Sequence, residues 1–242
     1  MVRRRRIRGT KGKRGRVEWG SRTAAFPVLI LFSLSEMLFE EIRRDPPVAV
    51  EARLDLVPPR EETLFRTKIE ILKEDGVAVL VTVRRRRDGG RWCDRDEAGR
   101  LEKIMEWLDV ADAVDIEWDC ARWVRKIRRI RPDMAILLSH HDFSGIVPDY
   151  VLKRILRAGR RLDVTRIKIA CRTTRVSDVR TLERQAEEIA CFLPVTMIGM
   201  GKKTVSTRWM FPRLLGGPVY CVWEKPVAPG QIRYEVVREL IS

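Results

Sequence analysis

Lys168 lies in the run RIKIACR over residues 166–172, where strand alternation turns Arg166, Lys168, Ala170 and Arg172 to one side and Ile167, Ile169 and Cys171 to the other. A lysine walled by apolar neighbours, in what reads as a buried strand, is a candidate amine nucleophile. Its unperturbed pKa of about 10.4 keeps the amine protonated at neutral pH, so the expectation is that desolvation and nearby cations lower that pKa and free the lone pair. The bland reading is a lysine whose ammonium reaches out of the strand end into water.

The same alternation gathers polar groups elsewhere. In EARLD, Glu51, Arg53 and Asp55 share one face, against Ala52 and Leu54. In VTVR, Thr82 falls with Arg84, against Val81 and Val83, and in LLSHHDFS, Ser139 falls with His141, against Leu138 and His140. Buried charge is costly unless paired, so acids, arginines, a histidine and a lysine at strand C-terminal ends read as a site. Of the two histidines, His141 is the better general base, and His140 reads as a packed or hydrogen-bonded residue. For Glu51, Arg53 and Asp55 taken alone, a structural ion-pair network stays open.

These residues need elements to hold them. Short β-rich runs recur every ~25–30 residues between helical patterns, the rhythm of consecutive βα units. The runs are 27–33, 48–56, 77–83, 112–118, 134–140, 166–171, 194–200 and 217–223. Between them Phe65, Ile69 and Leu72 share a helical face, as do Leu101, Ile104, Met105 and Leu108, and then Val179, Leu182, Ala186 and Ile189. Eight strands with intervening helices predict a single-domain (β/α)8 TIM barrel of the α/β class over residues 27–242, behind a basic N-terminal arm or hairpin over residues 1–26. A doubly wound open sheet is the runner-up, but no GxGxxG follows the first strand.

The chain of 242 residues is 45% hydrophobic, enough for a substantial core, and its longest apolar run, AAFPVLILF, is only strand-sized. A soluble, cytoplasmic protein is expected. Cys93, Cys120, Cys171, Cys191 and Cys221 are scattered without the close pairs of zinc or redox motifs, which favours a reducing interior. Net charge is +15, of which residues 1–22 supply +9. An arm reading MVRRRRIRGTKGKRGR raises nucleic-acid binding through phosphate contacts, but Trp19 is its sole nearby aromatic. The arm reads rather as a solvated extension, a hairpin around Gly9 to Gly12, or an overlong start.

Taken in order, EARLDL, TVRRRRDGG, SHHDFS, KIA, MGKKTVSTR and APGQI resemble the motif series of type I 3-dehydroquinate dehydratases, (β/α)8 barrels of the shikimate pathway of aromatic amino acid biosynthesis. The resemblance runs from about residue 27 to the C-terminus. It implies a Schiff-base lysine at Lys168 and a proton-transfer residue at His141. It implies substrate contacts from Glu51, Arg53 and Arg84, a carboxylate-binding Arg208, and Gln231 on a loop that closes over the ligand. Met200 corresponds to a pocket-lining methionine.

The departures are Asp88 where the family has Glu ahead of the glycine pair, Thr207 for a Ser, and Val227 for a Ser ahead of APGQ. The shorter Asp88 puts its reach to His141 in doubt if that acid orients the histidine. The implied reaction needs no metal or organic cofactor. The implied partner is a small molecule, 3-dehydroquinate, with no membrane and with nucleic acid disfavoured; a homodimer rests on analogy alone. The competing readings are another imine-forming barrel lyase or aldolase, and a nucleic-acid-binding protein acting through the arm.

Overall fold

The computed structural model describes residues 17–223 and 230–241. Its strands are β1 (Ala25–Leu31), β2 (Ala49–Arg53), β3 (Ala78–Thr82), β4 (Ala113–Glu117), β5 (Ala135–Asp142), β6 (Arg166–Arg172), β7 (Val195–Met200) and β8 (Gly217–Val222), followed by a short β9 (Ile232–Arg233). Between and after them lie α1 (Glu36–Arg44), α2 (Glu62–Glu74), α3 (Glu97–Glu106), α4 (Arg122–Ile130), α5 (Asp149–Arg161), α6 (Asp178–Ala190), α7 (Thr207–Leu215) and α8 (Tyr234–Ile241). The strands form one parallel sheet in the order β7-β6-β5-β4-β3-β2-β1-β8-β9, curled into a TIM-barrel-like α/β fold.

Alternation divides the core in two. Side chains such as Val81, Val83, Leu138, Ile167, Ile169 and Cys171 point outward and pack under the helices, where Phe65, Ile69, Leu72, Ile104, Leu182, Ala186 and Ile189 meet them. Their partners on the opposite strand faces, among them Val28, Ile30, Ala49, Leu80, Ala113, Leu137, Ala170 and Ile198, fill the barrel interior. A parallel strand covered on both faces has to be apolar on both, and the polar exceptions are therefore the informative positions.

The barrel floor contains a polar plug. Arg166, at the start of β6, is fully buried. Its guanidinium donates to the carbonyls of Val195 at 2.6 Å, Gly216 at 3.3 Å and Trp19 at 2.8 Å, and also to Ser21. It thereby ties the beginnings of β7 and β8, which share no ladder among the described residues, to the incoming N-terminal segment. Gly217 is required here. Its φ is +111°, and a Cβ would stand 2.5 Å from the Arg166 guanidinium carbon.

Three sequence expectations change. The barrel takes in residues ahead of position 27: Trp19 is buried under the barrel, edge-on to Phe26 at 5.7 Å, and is no stacking platform for a nucleic acid. The second strand stops at Arg53, because Leu54–Leu56 turn into a 3-10 helix. Asp55 consequently leaves the strand face and folds back to take both Arg53 Nε and Nη2 at 2.9 Å. The fifth strand runs on through His141 to Asp142. Most of the basic arm, the hairpin around Gly9 to Gly12, and Val227 lie outside the described residues.

Candidate active site

Four alternate strands converge on Lys168. From β6 its Nζ stands 3.0 Å from Oδ2 of Asp115 on β4 and 3.6 Å from Oε1 of Glu51 on β2. On the remaining side it lies 3.8 Å from the ring centroid of Tyr220 on β8. One layer of a barrel interior is supplied by every second strand, and here that layer is polar instead of aliphatic. Lys168 is 5% exposed, so it does not snorkel into solvent.

The electrostatics reverse the expected direction for this lysine. Burial acts to lower its pKa, but Asp115 and Glu51 outweigh burial and the Arg84 cation, and the net shift is upward. Asp115 is the counterpart: burial would raise its pKa, yet Arg84 and Lys168 hold it below the ordinary carboxylate range. The resting pair is ammonium with carboxylate.

Above this layer, Arg84 bridges the acids. Its Nη2 meets Asp115 at 2.7 Å, while Nη1 donates to Glu117 at 2.8 Å and to Ser139 at 2.9 Å. Ser139 in turn donates to the other oxygen of Asp115 at 2.5 Å. Glu117 is held from behind by Arg100 of α3, which is fully buried and also donates to the Val83 carbonyl at 3.0 Å. Charge-assisted bonds from two arginines satisfy a carboxylate that burial alone would disfavour.

His141 faces the same cavity. Burial, then the cations of Arg84 and Lys168, depress its pKa well below the ordinary value, so the imidazole is neutral and able to accept a proton. Its Nδ1 is buried with no hydrogen-bond partner among the described residues. Asp88 also lines the cavity, but its carboxylate takes Arg85 Nε at 2.6 Å and makes no hydrogen bond to His141. His140 is the packed residue of the pair, its Nδ1 accepting from Trp118 Nε1 at 3.1 Å.

The cavity is about 260 Å³ and opens at the C-terminal ends of the strands. Glu51, Arg53, Arg84, Asp88, His141, Lys168, Met200, Arg208 and Gln231 all line it, joined by Phe143, Ile30, Ile198 and Tyr220. Burial pushes the Arg208 guanidinium down to about 10, still cationic at neutral pH. Thr207 is the sequence candidate that stands apart. Its hydroxyl is committed to the backbone, accepting from Gly199 N at 3.0 Å and donating to the Thr204 carbonyl at 2.7 Å, and so fixes the end of β7 instead of facing the cavity.

Asp115, Glu117 and Tyr220 carry no role in the sequence reading. The acids were detectable: DAVDIEW places Ala113, Asp115 and Glu117 on one face against Val114 and Ile116, the same pattern as EARLD. Tyr220 gave no signal, since an aromatic inside an apolar run reads as core.

Fold and cavity together define an α/β-barrel protein with a buried amine and an imidazole gathered in one cavity at the strand C-termini. A profile of the family described as type I 3-dehydroquinase matches residues 33–242. The 3-dehydroquinate dehydratase of Archaeoglobus fulgidus is 34% identical over 175 residues, covering 67% of this chain and 78% of that protein. That of Aquifex aeolicus is 28% identical over 197 residues, covering 79% and 85%. The crystal structure of the Geobacillus kaustophilus 3-dehydroquinate dehydratase matches with a TM-score of 0.77 at 21% identity, covering 89% of each chain. The chain belongs to the type I 3-dehydroquinase family, and with it to the hydro-lyases.

Proposed function

We propose that this protein dehydrates 3-dehydroquinate to 3-dehydroshikimate through a Schiff base on Lys168, as a step of the shikimate pathway. The observation that carries the reading is one cavity lined by a buried lysine, a neutral histidine and the Arg208 cation, in a chain of this family. The substrate is an anionic cyclic hydroxyketone. Arg208 binds its carboxylate by charge-assisted hydrogen bonds, and Glu51, Arg53 and Gln231 hold ring hydroxyls.

Imine formation takes two protons from the Lys168 ammonium, and both leave on the ketone oxygen as water; the neutral His141 relays the first, since Asp115, held strongly acidic, is poorly suited to accept it. The freed amine attacks the ketone carbon, the carbonyl electrons pass to oxygen, and that oxygen leaves as water to give an iminium. His141 then removes the proton from the adjacent carbon, and the electron pair flows to nitrogen as an enamine. The enamine expels the hydroxyl, protonated by the imidazolium, and hydrolysis of the resulting imine frees the lysine. Arg84 serves this cycle by orienting Asp115. No helix among the described residues is long and apolar enough to cross a membrane. The five free cysteines support placement in the cytoplasm.

Intact mass after incubation with 3-dehydroquinate and borohydride, followed by peptide mapping, tests the reading. A substrate-derived adduct on Lys168 is expected, together with enone absorbance in the absence of borohydride; the absence of both signals would sink the reading. In His141→Ala the adduct should persist while turnover drops by about 10²–10⁴-fold.

A further inference from the structure

Tyr220 is 4% exposed, lines the cavity from β8, and presents the face of its ring to Lys168 Nζ at 3.8 Å. Its hydroxyl is buried and makes no close hydrogen bond among the described residues, Lys168 being a weak donor beside it. A phenylalanine would offer the same ring face without a stranded polar atom, and a buried polar group without a partner is disfavoured. The pairing of a cation-facing ring with a hydroxyl that has no close hydrogen-bond partner, both beside the Lys168 nitrogen, asks for two separate duties.

We infer that Tyr220 is a further catalytic residue of this site: its ring supports the Lys168 nitrogen whenever that nitrogen is cationic, and its hydroxyl hydrogen-bonds an oxygen of the bound substrate. The inference rests on the imine chemistry proposed above. An aromatic face attracts an ammonium or an iminium and gives no comparable stabilisation to a neutral amine. In the reaction the nitrogen passes from ammonium to neutral amine and, after the C–N bond forms and water leaves, to iminium. The ring therefore favours the covalent intermediate that acidifies the neighbouring C–H bond. Asp115 cannot make this distinction alone, because it is also engaged by Arg84 and Ser139.

The hydroxyl acts as a donor throughout. Burial, with the carboxylates of Glu51 and Asp115, holds the phenol well above its ordinary pKa despite the Lys168 charge, so the proton stays on oxygen. The oxygen nearest the reacting nitrogen is the one generated from the ketone when the amine adds, and it is expelled as water carrying the two protons given up by the Lys168 nitrogen. Tyr220 lends it a hydrogen bond and transfers none of its own protons.

Two variants separate the duties. Tyr220→Phe keeps the ring, and with 3-dehydroquinate it should raise KM or lower kcat by about 3- to 10-fold, the size of one lost hydrogen bond, while borohydride capture on Lys168 stays complete at saturating substrate. Tyr220→Leu removes the ring. Its single-turnover capture should slow by about 10-fold or more, and the pH dependence of capture should move to lower pH as the ammonium loses its support. Thermal melting of both variants verifies folding. Kinetics of Tyr220→Phe indistinguishable from the parent would overturn the hydroxyl's role, and an unaltered capture rate and pH profile in folded Tyr220→Leu would overturn the ring's. A parent protein that neither captures nor dehydrates 3-dehydroquinate removes the underlying reading instead, before either variant is compared.

Discussion

The Lys168 ammonium sits 3.0 Å from Oδ2 of Asp115 and 3.6 Å from Oε1 of Glu51, so the nearer carboxylate is the one contributed by β4. Burial is the largest single influence on this lysine and acts to lower its pKa, but Asp115, Glu51 and Tyr220 together outweigh it and keep the lysine an ammonium in the resting site. Asp115→Asn removes a counter-charge from both Lys168 and Arg84. The midpoint for borohydride capture should fall in pH, since the ammonium loses its principal support, while steady-state turnover decreases. Breaking a buried pair also costs about 3–5 kcal/mol of stability, readable by urea denaturation. A capture midpoint unchanged from the parent would contradict the assignment.

Arg208 is the cavity cation assigned to the substrate carboxylate. Arg208→Met should raise KM by about 10- to 100-fold, the worth of a charge-assisted hydrogen bond, and leave the site of borohydride capture at Lys168 unaltered. Steady-state kinetics alongside peptide mapping check this, and an unaffected KM would assign the carboxylate to another residue.

Both histidines titrate below their ordinary value of 6.5, His140 through burial and His141 through burial and the neighbouring cations. The unfolded chain therefore takes up protons as pH falls through 6.5 while the native state does not, and stability must decline below that point. The slope approaches about 1.4 kcal/mol per pH unit for each histidine. Asp115 shifts the other way: its contribution is present above its ordinary 3.8 and is lost as pH falls further. Melting curves between pH 7 and 5 should show the first decline, reduced in His140→Gln and His141→Gln. Parallel profiles for parent and variants would refute it.

Arg166 is a structural cation with no part in the chemistry. Arg166→Met would leave the carbonyls of Trp19, Ser21, Val195 and Gly216 without their donor beneath the barrel. A loss of about 3 kcal/mol or more is expected in urea denaturation, given that each buried acceptor left unpaired costs ~1–3 kcal/mol. A neutral result would mean that water takes over the plug.

Much of the site was legible because a barrel strand has a simple grammar. Period-two alternation in RIKIACR, EARLD and LLSHHDFS separated the residues under the helices from those inside the barrel, and the structure keeps that division at Lys168, Glu51 and His141. The alternation misled at Asp55, where the strand ends early and the carboxylate turns back on Arg53. The motif resemblance, in turn, put Thr207 among the site candidates, although its hydroxyl is committed to the backbone at the end of β7.

The sequence by itself determined the strand and helix succession, the barrel class, the family, and which face of each strand carries polar groups, since these follow from local periodicity and motif order. The tertiary structure alone decided the charge of Lys168. Asp115, Glu51 and Tyr220 come from three other strands and Arg84 from just past the end of a fourth, and whether cations or carboxylates stand nearest the amine depends on how those strands stagger around the barrel. At 3–4 Å in a poorly solvated interior, that stagger reverses a pKa shift, and no spacing within a single strand encodes it.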